Sequence, residues 1–335
     1  MKPLSIDTIS SIAIVIPAFR AEKYILKILA GIPQFISFII VVDDCSPDHT
    51  AELVRTCPDS RVYLVAHHKN QGVGGAVITG YFKAVELGAK IIVKMDSDDQ
   101  MDPKFLIPLI APILMGQADY TKGNRFLHLN ELKSMPLLRR VGNAGLSFLT
   151  KAASGYWNIF DPTNGYTAIH ASIIPMMDTN RLHRRYFFET SVLMELGLIR
   201  AVIQDVQIPA KYQDEVSSLS EWKALFEFPP QLIIGFLRRL LTQYFIRDFG
   251  VFSISLIFGL GFNTFGFFFG LYHWYYSSIT KTIASTGTVM LAVLPFILGW
   301  HLLIECLTLD IQNIPKDSLH HDVDFLEKLY RDFGE

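Results

Sequence analysis

An excess of charge of either sign is absent from this 335-residue chain: Lys and Arg total 30 against 32 Asp and Glu, a formal net charge of −2. That balance gives no global cationic field of the kind a nucleic-acid binder presents. Charged residues make up 19% of the chain, against about 25% in ordinary soluble domains, and half of the residues are hydrophobic. Cysteine is scarce as well. Cys45, Cys57 and Cys306 have no metal-ligand spacing, and they read as reduced thiols of a cytosol-facing protein rather than a disulfide framework. The ten histidines form no ligand pattern at helical spacing, so solvated or packing roles are expected for them. No basic stretch followed by an apolar core opens the chain, so no secretory leader is expected. Two segments, 249–280 and 282–304, contain no Asp, Glu, Lys or Arg at all. Each exceeds the ~20 residues needed to cross a bilayer core.

What is present begins with short apolar runs that end in polar clusters. Ile12–Ile16 closes on Pro17; Phe38–Val42 ends in Asp43-Asp44; Arg61–Val65 is a third run; Lys90–Met95 ends in Asp96-Ser97-Asp98-Asp99-Gln100. Helical patterns separate them, over about 22–29, after Asp48 as a cap, and from Asn70-Gln-Gly-Val-Gly-Gly-Ala76 to about Leu87. Strands alternating with helices imply right-handed crossovers and a parallel sheet. Ligands of such sheets bind beyond the carboxyl ends of the strands. Pro17, Asp43, Asp44 and Asp96 should therefore share one rim. Clustered carboxylates there repel one another and favour a cation, and aspartates are hard oxygen ligands suited to Mg²⁺ or Mn²⁺.

The expected organisation is an α/β (Rossmann-like) domain over 1–219, a juxtamembrane amphipathic region over 220–248, two transmembrane helices within 249–306 (about 250–273 and 283–305), and a cytosolic tail over 307–335. Pro229-Pro230 is expected to break the chain. After it, apolar residues recur at helical spacing from Gln231 to Arg247 beside Arg238, Arg239 and Arg247, as in a helix lying in the membrane interface. Tyr272, Trp274, Tyr275 and Tyr276 crowd the junction of the spans like an aromatic belt. Arginines precede the first span and only Lys281 lies in the turn, so the positive-inside rule puts the large domain and both termini in the cytoplasm.

The rim limits the chemistry. Asn70-Gln-Gly-Val-Gly-Gly is a weak dinucleotide fingerprint, since Val77 occupies the third glycine position and the stretch follows the third strand. No Walker-type Gly-Lys-Ser/Thr occurs. Carboxylates accept base N–H and ribose O–H groups, and a metal bridges them to a pyrophosphate, which describes a nucleotide-sugar site.

In this light the ordered set Ile-Val-Ile-Pro17-Ala18-Phe19, Val-Val-Asp43-Asp44-Cys-Ser-Pro-Asp48, Asn70-Gln-Gly72-Val-Gly74-Gly75, Met-Asp96-Ser-Asp98-Asp-Gln100, Asp161-Pro-Thr-Asn-Gly165-Tyr166 and Phe188-Glu189 resembles the family 2 glycosyltransferases of GT-A fold. It is most similar to their polyprenol-phosphate branch, the dolichol-phosphate mannose synthases and bacterial undecaprenyl-phosphate relatives with two C-terminal spans. The resemblance implies a metal-dependent, inverting transfer of a hexose from a nucleotide sugar to a polyprenyl phosphate, at the bacterial inner membrane. It implies that Pro17, Ala18, Glu22, Asp43 or Asp44, Gly72 and Asp96 bind the nucleotide sugar. Asp96, Asp98 and Gln100 would hold Mg²⁺ or Mn²⁺, and Arg125 with Arg139 would meet the acceptor phosphate. Asp98, Asp161 and Glu189 would be the catalytic set, with Asp161 or Glu189 positioning the acceptor or acting as base. Glu189 follows three aromatics, so burial with a raised pKa and a structural ion pair are equally open readings of it. Departures are Arg20-Ala21 for the usual Asn-Glu, Cys45 for a usual Gly, and Glu215 and Ser218 where mannosyl members carry Arg and Lys. The last favours UDP-hexose over GDP-mannose as donor. A processive polysaccharide synthase, or a silent membrane assembly subunit, are the competing readings. The first usually has more spans and a Gln-x-x-Arg-Trp motif, which this chain lacks, and the intact aspartates argue against the second. Sugar identity and oligomeric state, a homo-oligomer included, are left open.

Overall fold

The computed structural model describes residues 11–124, 137–208, 221–321 and 323. Its centre is a seven-stranded sheet in the order β3-β2-β1-β4-β6-β5-β7. The strands are β1 (Ile12–Ala18), β2 (Phe38–Asp43), β3 (Val62–Ala66), β4 (Ile91–Lys94), β5 (Tyr120–Asn124), β6 (Thr167–His170) and β7 (Ile203–Gln207). β1, β2 and β4 are buried almost throughout, as near-continuous Ile/Val runs require, whereas β3 lies at the edge and is only half-buried. Side chains alternate between the two faces. Ile12, Ile14 and Ile16 pack with Ile25, Ile28 and Leu29 of α1 (Ile25–Gly31) and with Leu106, Leu109, Ile110 and Ile113 of α4 (Leu106–Leu114). Ala13 and Val15 face the other way, toward Ala76, Val77 and Tyr81 of α3 (Val73–Glu86) and toward Val192, Leu193 and Leu196 of α6 (Phe188–Ile199). A short helix, α2 (Thr50–Arg55), and the longer α5 (Leu137–Ser154) complete this set.

The expected parallel sheet holds for the first four strands, but β6 runs antiparallel to both β4 and β5. β6 is inserted between two strands that point the same way, and the side-chain period that identifies a strand is blind to its direction. The chain steps outward from β1 to β2 to β3, then returns to place β4 on the other side of β1. This reversal opens a crevice at the carboxyl ends of β1 and β4.

Pro229-Pro230 does not break the chain. α7 (Glu221–Leu241) runs through both prolines. Phe228 and Leu232, on either side of the pair, are buried with Ala153 and Phe187, which holds the helix on course where two backbone donors are missing.

Contacts divide the chain into one compact unit of 1–236 with 315–335, and a second of 237–314. The second contains a π-helical turn (Thr242–Arg247), α8 (Val251–Thr280) and α9 (Thr286–Gln312). α8 and α9 are long and apolar enough to cross a membrane, and most of their large apolar side chains are exposed. α8 ends at Lys281, in the left-handed region at φ 55°, and Ser285 caps α9 through Thr288 N at 3.2 Å. Gly259, Gly266 and Gly299 let the two backbones approach, since a Cβ at any of them would crowd the facing helix. At the base of the hairpin Arg239 is buried and makes a bidentate pair with Asp310, at 2.7 and 2.8 Å, while Tyr244 donates to the same carboxylate at 2.5 Å. Arg239 is thus committed inside the protein and is not the interfacial cation that its spacing suggested.

The segment after α9 rejoins the first unit. Buried Asp119 accepts from the backbone of Val202, Leu319 and His320, at 2.8, 3.0 and 2.9 Å, and from His320 Nδ1 at 2.8 Å. Ser318 donates to the Gly116 carbonyl, and the His320 ring stacks on His170 at 4.5 Å. Residues 315–321 are therefore part of the α/β domain rather than a free tail.

Candidate active site

The carboxyl ends of β1, β2 and β4 and the start of α3 enclose a cleft of about 340 Å³. Pro17, Ala18, Asp44, Gly72, Asp96 and Asp98 line it, together with Phe19, Asn70, Ser97, Arg185 and Tyr186. Six of the residues expected in the site are thus brought together. Three non-glycine residues of these rim loops, Arg20, Cys45 and Asp99, have φ of 57°, 60° and 61°. This left-handed conformation is costly for residues with a Cβ and concentrates at functional loops.

Asp44 organises one wall. Its carboxylate accepts from Gln71 N at 2.8 Å, Gly72 N at 2.7 Å and His67 Nδ1 at 2.8 Å. His67 Nε2 meets Thr79 Oγ1 at 3.0 Å, so the ring bridges α3 to the rim. Gly72 has φ of 84°, and a side chain there would collide with the Arg184 carbonyl. Gly74 N donates to that carbonyl at 2.9 Å, which docks the 183–187 segment on the start of α3 and sets Arg185 at the cleft. Arg185 has no carboxylate partner among the described residues. Asp43 is buried, and its Oδ1 has no hydrogen-bond partner among the described residues.

The opposite wall is set by a lysine. Lys94, 1% exposed, reaches Asp96 Oδ1 at 2.8 Å and Glu189 Oε1 at 2.9 Å. Burial favours its neutral form, but the carboxylates of Asp96 and Glu189 outweigh that and hold it well above the ordinary lysine range. Burial likewise pushes Glu189 up, and the ammonium groups of Lys94 and Lys122 more than reverse it, so Glu189 lies below its ordinary value. Of the two readings of Glu189, burial with a raised pKa and a structural ion pair, the structure shows the ion pair. Lys122, also buried, donates to the Asn164 carbonyl. Burial depresses it to about 8, aided by Lys94 and opposed by Glu189, Asp161 and Asp205.

The remaining expected residues lie off the cleft lining. Glu22 is exposed and accepts from His49 N at 3.1 Å, which braces the loop after β2. Asp161 is fully buried and accepts from Thr163 Oγ1 at 3.3 Å. Glu189 is tied to Lys94, and Gln100 follows Asp98 on the turn, donating its backbone N–H to Asp98 Oδ1 at 3.0 Å. Arg125 lies outside the described residues. Arg139 falls on α5, but its side chain is outside the described set. Sequence reasoning missed His67, Lys94 and Arg185. The first two flank strand ends, and that position is the signal that could have found them.

The donors present fit a divalent ion. Asp96 and Asp98 are hard oxygen ligands on one loop, and Lys94 engages only one oxygen of Asp96. Among the described residues no three His, Cys, Asp or Glu side chains form a complete cage. Gln100, water or substrate phosphates would complete such a site, as they commonly do for Mg²⁺.

Residues 13–175 match the family described as Glycosyl transferase family 2. The UDP-N-acetylglucosamine–dolichyl-phosphate N-acetylglucosaminyltransferase of Methanococcus voltae is 34% identical over 190 residues, covering 52% of this chain and 75% of that protein. The undecaprenyl-phosphate mannosyltransferase of Micrococcus luteus is 27% identical over 175 residues, 51% of this chain and 71% of its own. Among solved structures, glucosyl-3-phosphoglycerate synthase of Mycobacterium tuberculosis, in complex with Mn²⁺, UDP-glucose and phosphoglyceric acid, aligns with a TM-score of 0.50 at 20% identity. That alignment covers 69% of this chain and 79% of the other, and it shows a shared GT-A-like fold. By sequence, this chain is a glycosyltransferase and belongs to glycosyl transferase family 2, with relatives in its polyprenol-phosphate branch.

Proposed function

We propose that the protein transfers a hexose from a nucleotide sugar, UDP-linked rather than GDP-linked, to a polyprenyl phosphate, with inversion in a single displacement. The observation that carries the reading is the meeting of Asp44, Asp96, Asp98 and Arg185 around one cleft at the point where the strand order reverses. Pro17, Ala18, Asp44 and Gly72 receive the nucleoside. Asp43 offers a further acceptor oxygen beneath it, and Glu22 supports the loop from outside. Asp96, Asp98 and Gln100 hold Mg²⁺ or Mn²⁺, which supplies positive charge to the leaving diphosphate when bound. Arg125 and Arg139 receive the acceptor phosphate.

The displacement forms a bond from a phosphate oxygen to the anomeric carbon and breaks the bond from that carbon to the nucleoside diphosphate. A phosphate monoester has a second pKa near ~6, so the acceptor is already an anion at neutral pH and no proton need be removed. The low position of Glu189 supports this economy, because a carboxylate so held is a weak base. Asp161 then positions the acceptor rather than taking a proton. The two apolar helices suit a lipid acceptor that cannot leave the bilayer. The return of residues 315–321 to the α/β domain supports a hairpin with both ends on the cytoplasmic face.

The test is to incubate membranes containing the protein with labelled UDP-glucose, UDP-GlcNAc, UDP-galactose or GDP-mannose, each with undecaprenyl or dolichyl phosphate. An organic-soluble, acid-labile product from one UDP-sugar, lost with EDTA and restored by Mn²⁺ or Mg²⁺, is expected. A polymer would point instead to a processive synthase, and no product from any donor to a silent subunit.

A further inference from the structure

Lys94 stands in an Ile-Ile-Val strand, where a charge has no packing reason to be. Its ammonium is almost wholly buried between Asp96, at 2.8 Å, and Glu189, at 2.9 Å. Gly165 closes over it. A Cβ at that position would lie 2.5 Å from Lys94 Nζ and 2.6 Å from Asp96 Oδ2. The end of β4, the 161–166 loop and the first turn of α6 thus converge on one charge.

We infer that Lys94 and Glu189 are positioning residues that set the orientation and effective charge of Asp96, and that Glu189 is not the proton acceptor of the reaction. The inference rests on the reading of Asp96 as a ligand for the nucleotide sugar and its metal. Glu189 does not line the cleft, and its Oε1 is spent on the ammonium. The Lys94 ammonium is held between two carboxylates, so Asp96 shares it with Glu189. Removing the Glu189 charge gives Asp96 the whole of the ammonium and makes it a poorer ligand for a cation. Removing Lys94 frees Asp96 and makes it a better one. The two changes therefore move cation affinity in opposite directions, whereas a purely scaffolding role would weaken binding in both.

The experiment titrates Mn²⁺ into the full-length protein in detergent and follows free Mn²⁺ by electron paramagnetic resonance, with and without UDP. Glu189→Gln, which keeps the shape and an acceptor oxygen, is expected to raise the Mn²⁺ Kd about five-fold, and Lys94→Met to lower it by a similar factor. Lys94→Arg should return it toward wild type. In turnover, Glu189→Gln should lower kcat by roughly ten-fold without altering the shape of its pH profile. Equal weakening in both variants, or no change in either while the wild type binds Mn²⁺, overturns the inference. So does a loss of about a thousand-fold in kcat with the acidic limb abolished, which would make Glu189 the base. If Lys94→Met fails to fold, Glu189→Gln decides alone: an unchanged Kd sinks the idea. A wild type that binds no Mn²⁺ in either state overturns the ligand reading of Asp96 itself, and this inference with it.

Discussion

Cys45 takes a left-handed conformation at φ 60°, a region that glycine enters without the steric cost a Cβ brings. Replacing it with Gly should leave the thermal midpoint unchanged or higher. Cys45→Val should lose about 1–2 kcal/mol, because a branched side chain fits this region worst. Thermal unfolding of the detergent-solubilised protein checks both. Asp98 and Asp161 separate by role. Asp98→Ala should reduce activity by roughly a thousand-fold, and Asp161→Asn by far less, if the acceptor arrives as an anion. Equal losses in the transferase assay would refute the absence of a general base. Lys122 supplies a pH test. Its folded value, about 8, lies below the ~10.4 of an unfolded lysine, so the native state sheds this proton first. Stability should therefore rise with pH between about 8 and 10, by up to ~3 kcal/mol, and the rise should vanish in Lys122→Met. Midpoints measured at several pH values give the difference directly. The rim aspartates and Pro17 were legible in the sequence because each ends an apolar strand. Lys94 was marked only by its place at a strand end, and the partner that explains it, Glu189, is 95 positions away.

At the scale of elements, periodicity located β1 to β4 and α3 within a few residues. It could not give the direction of β6, nor foresee that Phe228 and Leu232 would carry α7 through two prolines. It read Arg239 as an interfacial cation because its partner Asp310 lies 71 residues on, in the last turn of the second apolar helix. That buried pair yields a prediction. Asp310→Ala would strand a guanidinium without its counter-ion and should cost about 3–5 kcal/mol, whereas Asp310→Asn, which retains an acceptor, should cost less. The midpoint of the solubilised protein reports the order of the two.

For the whole molecule, the organisation into an α/β domain and a two-helix hairpin was readable from charge-free lengths, and the docking of residues 315–321 was not. A buried aspartate such as Asp119 carries no mark in the sequence of what it will bind. The docking makes a topological prediction. With Cys45, Cys57 and Cys306 replaced, single cysteines at Ile283 and Asp317 should be labelled by an impermeant thiol reagent from opposite sides of the membrane.

The last strand of the sheet ends at Gln207, yet Asp119 collects two of its backbone donors only when Leu319 and His320 have been made. The domain is therefore interrupted in the gene and completed late in synthesis. A chain that crossed the bilayer an odd number of times would deliver those residues to the wrong compartment and leave a buried carboxylate short of partners. If the two apolar helices span a bilayer as proposed, their correct threading is written into the final stability of the α/β domain, and a mis-inserted chain would be marked by the incompleteness of its own fold.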